Sequence, residues 1–137
     1  MSKKLNTILL IDDDEPTNYL NKLIIEETGC AENILVLQSG KEAIDYLTGK
    51  GKFSHTNKNI PPPELIFLDI NMPAMDGWEF IDTYKKIPKG QVVMVMLTTS
   101  LNPDDEEKAK SIAEISDYKN KPLSKQIVLE ILKNYFN

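Results

Sequence analysis

Short apolar runs that end in acids alternate with helix-period segments along this chain, and few folds accept that order. Leu5–Ile11 is nearly all apolar and runs into Asp12-Asp13-Asp14. Leu65–Asp69 is apolar and again closes on an acid. Ile34–Gln38, Val92–Leu97 and the short Asp117–Asn120 complete five strand candidates. Apolar runs without strict polar alternation predict strands buried on both faces.

Five helices are predicted between and after these strands. Glu15–Thr28 carries Tyr19, Leu20, Leu23, Ile24 and Glu27 on one stripe, with Gly29 as its stop. Ser39–Leu47 has Ser39 as N-cap and Ala43, Ile44 and Leu47 on one face. Gly77–Ile87 repeats Phe80, Ile81 and Tyr84 and is closed by Pro88. Asn102-Pro103-Asp104-Asp105-Glu106 is a helix start, with a cap, a first-turn proline and acids at the positive end, and the helix is expected to reach about Ile115. Ser124–Phe136 places Ile127, Val128, Ile131, Leu132 and Tyr135 on one side.

A strand-helix unit repeated five times predicts an α/β fold, a doubly wound five-stranded parallel sheet with helices on both faces. Right-handed crossovers leave few topologies, and order 2-1-3-4-5 is the common one for five strands. It puts the switch point between strands 1 and 3, where ligands bind at the carboxyl edge. Thr48–Pro63 breaks the rhythm. It is polar, holds two glycines and ends in three prolines, and reads as a long surface loop before strand 3. A tolerated insertion is the simpler reading of it and a partner contact the other.

At 137 residues the chain is expected to be one domain spanning 1–137, too short for an added output domain. Sixteen Lys+Arg against 21 Asp+Glu give a net charge of −5, a poor match to nucleic-acid phosphates. No run approaches the roughly 20 apolar residues of a membrane span, and the start lacks a secretory cleavage pattern. The lone Cys30 excludes an internal disulfide framework and a cysteine-only zinc site, and points to a reducing cytoplasm. The lone His55 excludes a multi-histidine metal site.

Polar residues then gather at the strand ends. Asp12-Asp13-Asp14 follow strand 1, Asp69 closes strand 3, Thr98-Thr99-Ser100 close strand 4, and Lys121-Pro122 follow strand 5. On this frame three carboxylates converge beside a hydroxyl and an ammonium. Adjacent anions need a cation or protons, and an all-oxygen set suits Mg²⁺. That is chemistry for an aspartyl phosphate, in which a carboxylate attacks phosphorus while metal and lysine offset the spread charge. Each residue alone has a plain alternative: the acids as helix caps, Thr98 as a strand residue, Lys121 as a surface lysine, Pro122 as a turn residue.

The motifs ILLIDDDEPTN, LIFLDINMPAMDGWEF, VVMVMLTTS and YKNKPLS together resemble those of response-regulator receiver domains of two-component signalling, over essentially the whole chain. The resemblance implies a flavodoxin-like (βα)5 fold and a phosphoryl group received on Asp69 from a sensor histidine kinase or phosphotransfer protein. It implies Mg²⁺, with Mn²⁺ able to substitute, held by Asp12, Asp13, Asp69 and the backbone carbonyl of Asn71. Thr98 and Lys121 take the phosphate-binding positions, and Tyr118 that of the switch aromatic. Asn71 and Ser100 fall where side chains tune dephosphorylation. The implied product is a stand-alone cytoplasmic regulator, monomeric or dimerising on phosphorylation, whose readout face lies around helix 4, strand 5 and helix 5. It would catalyse only its own phosphorylation and dephosphorylation, and its downstream protein is not named by the sequence. Asp14 is expected to face solvent or cap the first helix, and Trp78 to pack. Cys30 and His55 are expected to carry no chemistry.

An enzyme reading competes. Phosphatases of the haloacid dehalogenase class use a D-x-D pair at the end of strand 1, and Asp12-x-Asp14 has that spacing. Pro16 stands where that class usually has Thr or Val, and it assigns no role to the motif around Asp69.

Overall fold

The computed structural model describes residues 4–53, 62–87 and 90–136. Its elements are β1 (Leu5–Ile11), α1 (Glu15–Thr28), β2 (Ala31–Leu37), α2 (Gly40–Thr48), β3 (Leu65–Asp69), α3 (Gly77–Tyr84), β4 (Val93–Thr98), α4 (Pro103–Lys110), β5 (Asp117–Asn120) and α5 (Lys125–Tyr135). The five strands form one sheet in the order β2-β1-β3-β4-β5, all parallel. This is the predicted doubly wound sheet.

Strand alternation builds two cores from one sheet, since successive side chains point to opposite faces. Leu9, Ile11, Ile66, Leu68, Met94 and Met96 face α2, α3 and α4. Ile8, Leu10, Leu65, Phe67, Val95 and Leu97 face α1 and α5. Every residue of β3 is buried. The apolar runs lacked polar alternation because both faces are covered.

The first helix departs from expectation. Its buried residues are Asn18, Asn21 and Ile25. The stripe residues Tyr19, Leu20 and Leu23 are 65%, 58% and 39% exposed, and of that stripe Ile24 packs partly against the core. Positions 18, 21 and 25 recur at the 3.6-residue period, so the periodicity was real but its inward face was misplaced. The rotation of α1 is set where it leaves β1. Asp14 caps it by accepting from the Thr17 amide at 3.1 Å and from the Thr17 hydroxyl, and Asn18 bonds back to the Asp12 carbonyl just past β1.

Other differences lie at element ends. β2 begins at Ala31, three residues before the predicted start, because Ala31 and Asn33 pair with Leu5 and Thr7. α3 stops at Tyr84, and tight turns carry the chain on through Lys86 and Ile87. α4 ends at Lys110 rather than near Ile115. Six of its eight residues are charged and only Ala109 is buried, so it has little apolar face with which to extend. Beyond it, turns at Ile112 and Ile115 bring Ile115 into the core. Within the predicted 48–63 loop, Thr48 belongs to α2 and Gly51–Phe53 forms a 3₁₀ turn, with Phe53 edge-on to Tyr46 at 5.2 Å. Residues 54–61 of that loop, including His55, lie outside the described residues. Among the described residues, no helix is long and apolar enough to cross a membrane.

The loop after β3 is shaped for closeness. Ala74 holds a positive φ of 68°, and the Gly77 amide donates to the Ile70 carbonyl at 2.7 Å. A Cβ on Gly77 would stand 2.8 Å from the Asp69 carbonyl oxygen and 2.8 Å from Ile70 Cα, both backbone atoms that cannot swing aside. Gly77→Ala is therefore expected to destabilise the fold by about 2 kcal/mol. An unchanged urea midpoint would show that the β3–α3 junction has more slack than this.

Candidate functional site

Each strand end delivers one part of the site. Asp12 follows β1, and its amide continues the ladder to the Leu37 carbonyl at 3.1 Å. Its side chain is buried, with one oxygen accepting the Asp14 amide at 2.9 Å and the other the Lys121 ammonium at 2.7 Å. Asp69 closes β3 and is only 6% exposed. Lys121 Nζ lies 3.2 Å from Asp69 Oδ1, so one ammonium is shared between two buried carboxylates. Asp13 is exposed, and ligand oxygens of Asp12, Asp13 and Asp69 all lie within 4.8 Å of one another.

The electrostatics follow from this crowding. Burial pushes the Asp69 carboxyl above the usual carboxylate range, and repulsion from Asp12 adds to it against the pull of Lys121. Burial alone would lower the Lys121 ammonium, but bonding and attraction to Asp12 and Asp69 outweigh it and hold it above lysine's ordinary value. The acid cluster is thus partly neutralised by the chain's own lysine. Three close carboxylates with oxygen-only donors fit a small hard divalent cation. No feature of the donor set separates Mg²⁺ from Mn²⁺.

Around this cluster sit the remaining predicted residues. Thr98 closes β4, is fully buried, and its Oγ1 accepts the Ser100 amide at 2.9 Å. The Thr98 carbonyl accepts the Lys121 amide at 2.8 Å, which ties the β4 and β5 ends together. The Lys121–Pro122 peptide is cis. Ser100 Oγ turns to α4, donating to Asp105 Oδ2 at 2.6 Å. Asn71 is exposed, and its backbone amide lies near enough to the Asp69 carboxylate to pull that carboxyl slightly down. Tyr118 is half-buried with its hydroxyl inside, near Ser100 and Thr98 but without a well-formed hydrogen bond to either. Burial, then the acids Asp105 and Glu106, hold that phenol above its ordinary value. The hydroxyl end of the ring points inward.

The side residues also fall into place. Asp14 caps α1 and stands outside the acid cluster, and bonding to Thr17 holds it below the usual carboxylate range. The D-x-D pairing needed by a haloacid-dehalogenase reading is therefore not assembled. Trp78 is half-buried against the core, with Lys108 of α4 4.5 Å above its ring. Cys30 is a free, partly buried thiol packed beside the α1–α5 core. Sequence reasoning missed Asn18 and Asn21. Two asparagines three apart, one turn into the helix that follows the strand-end acids, are the available signal, and the apolar stripe beside them obscures it.

The raised Asp69 carboxyl carries a stability consequence. The folded chain keeps this proton where the unfolded chain releases it, so stability falls as pH rises above the ordinary value of 3.8 through the raised folded value. The cost is then fully present at any pH above that raised folded value. Asp69→Asn is expected to raise the melting temperature of the metal-free protein at pH 7 by a few degrees. The gap should narrow as pH falls toward 4. A variant that melts at or below the wild-type temperature at pH 7 would mean that the Lys121 bond outweighs burial and repulsion.

Comparison with known proteins gives the same assignment. The model of the response regulator receiver domain family matches residues 8–133. A two-component response regulator from Cytophaga hutchinsonii superposes with a TM-score of 0.83 at 32% identity, covering 96% of this chain and 97% of that one. The bacteriophytochrome response regulator AtBRR gives 0.79 at 26%, covering 96% and 93%. The Mn²⁺-bound form of the response regulator Rcp1 gives 0.76 at 28%, covering 96% and 95%. In sequence, Rcp1 of Synechocystis sp. is 32% identical over 99 residues, 72% of this chain and 65% of that protein. A parallel sheet ordered β2-β1-β3-β4-β5 with an acid cluster at its switch point, matched by a family model over almost its full length, places this chain in the response regulator receiver domain family.

Proposed function

We propose that this chain is a signal-transduction regulator that accepts a phosphoryl group on Asp69 from a phosphohistidine of a sensor kinase or phosphotransfer protein. The observation that carries this is the meeting of Asp12, Asp13 and Asp69 with Lys121 at one sheet edge. An Asp69 carboxylate oxygen forms the new O–P bond as the donor's N–P bond breaks, and the departing imidazole nitrogen takes up a proton. Asp12, Asp13 and the Asn71 carbonyl are assigned to hold a divalent cation beside Asp69. Bound there, Mg²⁺ or Mn²⁺ supplies positive charge against the transferring oxygens. Asp69 must be ionised to act, and Lys121 helps keep it so by its position 3.2 Å away.

After transfer, Lys121 is placed to pair with a phosphoryl oxygen. Thr98 accepts from Ser100 and so keeps its own hydroxyl proton for another oxygen. Movement of Thr98 toward that oxygen loosens the Thr98–Ser100–Asp105 chain that reaches α4. Because Tyr118 is already inward, phosphorylation acts here by holding that state against others, a population shift. Asn71 and Ser100 are assigned to set how readily water reaches the phosphoryl group. Readout is assigned to the α4–β5–α5 face. An open cleft of about 200 Å³ lies between α4 and β5, where Ala109, Ile115 and Tyr118 meet the charged Glu106, Lys110 and Asp117. Tyr19 and Leu20, turned outward at the start of α1, are assigned to meet a protein donor. In this reading the domain runs through 1–137 and is not an enzyme acting on separate substrates.

Incubation with Mg²⁺ and acetyl phosphate is expected to add one phosphoryl group by intact mass to the wild type and none to Asp69→Ala. Removal of the metal with a chelator should abolish the gain. Equal labelling of Asp69→Ala would assign the nucleophile to another residue.

A further inference from the structure

The buried face of α1 is polar where it meets the acid cluster, and the transfer chemistry proposed above does not by itself call for this. Asn18 is 2% exposed and Asn21 is 6% exposed. Asn18 Nδ2 donates to the Asp12 carbonyl at 2.7 Å, a contact reaching back six residues from the helix to the strand end. Asn18 Oδ1 is buried without a hydrogen-bond partner. A narrow crevice beneath the carboxylates is lined by Asp12, Asn18, Asn21 and Asp69 together with apolar side chains from the strands.

A buried unpartnered oxygen works against folding, and asparagine is a weak helix former. A leucine at position 18 would avoid both costs and extend the apolar face begun by Ile25. The gain from asparagine must therefore lie in the bond that it makes. That bond acts on the β1–α1 turn. Asp12 is held at four points: its amide by Leu37, its two carboxylate oxygens by Asp14 and Lys121, and its carbonyl by Asn18. Asp13 is different. Its carboxylate is exposed and makes no hydrogen bond or ion pair among the described residues. Its place in the cluster depends on the backbone that carries it, and that backbone is what Asn18 anchors.

We infer that Asn18 is a positioning residue for the cation pocket, fixing the Asp12 carbonyl so that Asp12 and Asp13 present their carboxylates to one ion. This rests on the reading of the acid cluster as a metal site. Hydrogen-bond partners behind metal ligands characteristically set affinity by about tenfold or more.

The test measures Mg²⁺ affinity by titration calorimetry on the unphosphorylated full chain, alongside urea unfolding of the metal-free protein. Asn18→Leu is expected to weaken Mg²⁺ binding about tenfold while the metal-free chain still unfolds cooperatively in urea, the lost bond to the Asp12 carbonyl offsetting the relief of the buried amide oxygen. Asn18→Ala carries the same affinity expectation should leucine fail to fold. Ile25→Val, on the same helix face, should lower stability and leave affinity within about twofold. Asn18→Leu in an Asp13→Asn background should cost much less affinity than in the wild type, because the two act on one ligand. Wild-type affinity in both Asn18 variants overturns the inference, as does an affinity loss that Ile25→Val reproduces. A wild-type chain that binds no Mg²⁺ overturns the metal-site reading and this inference together. A wild type that binds Mg²⁺ normally beside unaffected Asn18 variants overturns the inference alone.

Discussion

Three carboxylates crowd one edge of the sheet, and a single ammonium holds two of them there. Lys121 reaches Asp12 at 2.7 Å and Asp69 at 3.2 Å, although the three residues come from the start, the middle and the end of the chain. The sheet order makes this possible. β1 and β3 are direct neighbours, and β4 and β5 follow, so four strand ends open onto one small region. Take the lysine away and the cluster is left with repulsion and burial, both of which already push Asp69 toward its protonated form.

The rest of the structure serves that edge. Strands β1, β3 and β4 are buried on both faces, which makes the carboxyl edge a rigid frame. Helix starts close the gaps between strand ends. Asp14 begins α1, and Asp76 forms a capping box with Glu79 that begins α3. Gly77 lets α3 settle on the backbone of Asp69 and Ile70. α4 is the least anchored part of this frame. α4 is short, highly charged and buries a single residue, and it is tied to the site through Ser100 and Asp105 and to α3 through Lys108 over Trp78. An element so weakly anchored can shift when its few ties change.

α1 shows where reading a sequence by its apolar pattern reaches a limit. Tyr19, Leu20 and Leu23 share a helix face, and apolar faces ordinarily turn inward. Here that face looks to solvent, while Asn18 and Asn21 are buried. The helix phase is fixed by the cap at Asp14 and by the Asn18 bond to the Asp12 carbonyl. Both are contacts to specific atoms, and hydrophobic periodicity carries no information about them.

From the sequence alone came the alternation of strands and helices, the parallel sheet and its order, and the gathering of Asp12, Asp13, Asp69, Thr98 and Lys121 at one edge. These follow from the local pattern because period and chain connection constrain them: apolar runs specify strands, and right-handed crossovers leave few ways to join them. Tertiary structure alone decided the rotation of α1, the early end of α4, the inward ring of Tyr118 and the sharing of Lys121 between two acids. Each of these depends on which atoms meet across distant segments. That balance of burial, charge and hydrogen bonding exists only once the chain has closed on itself.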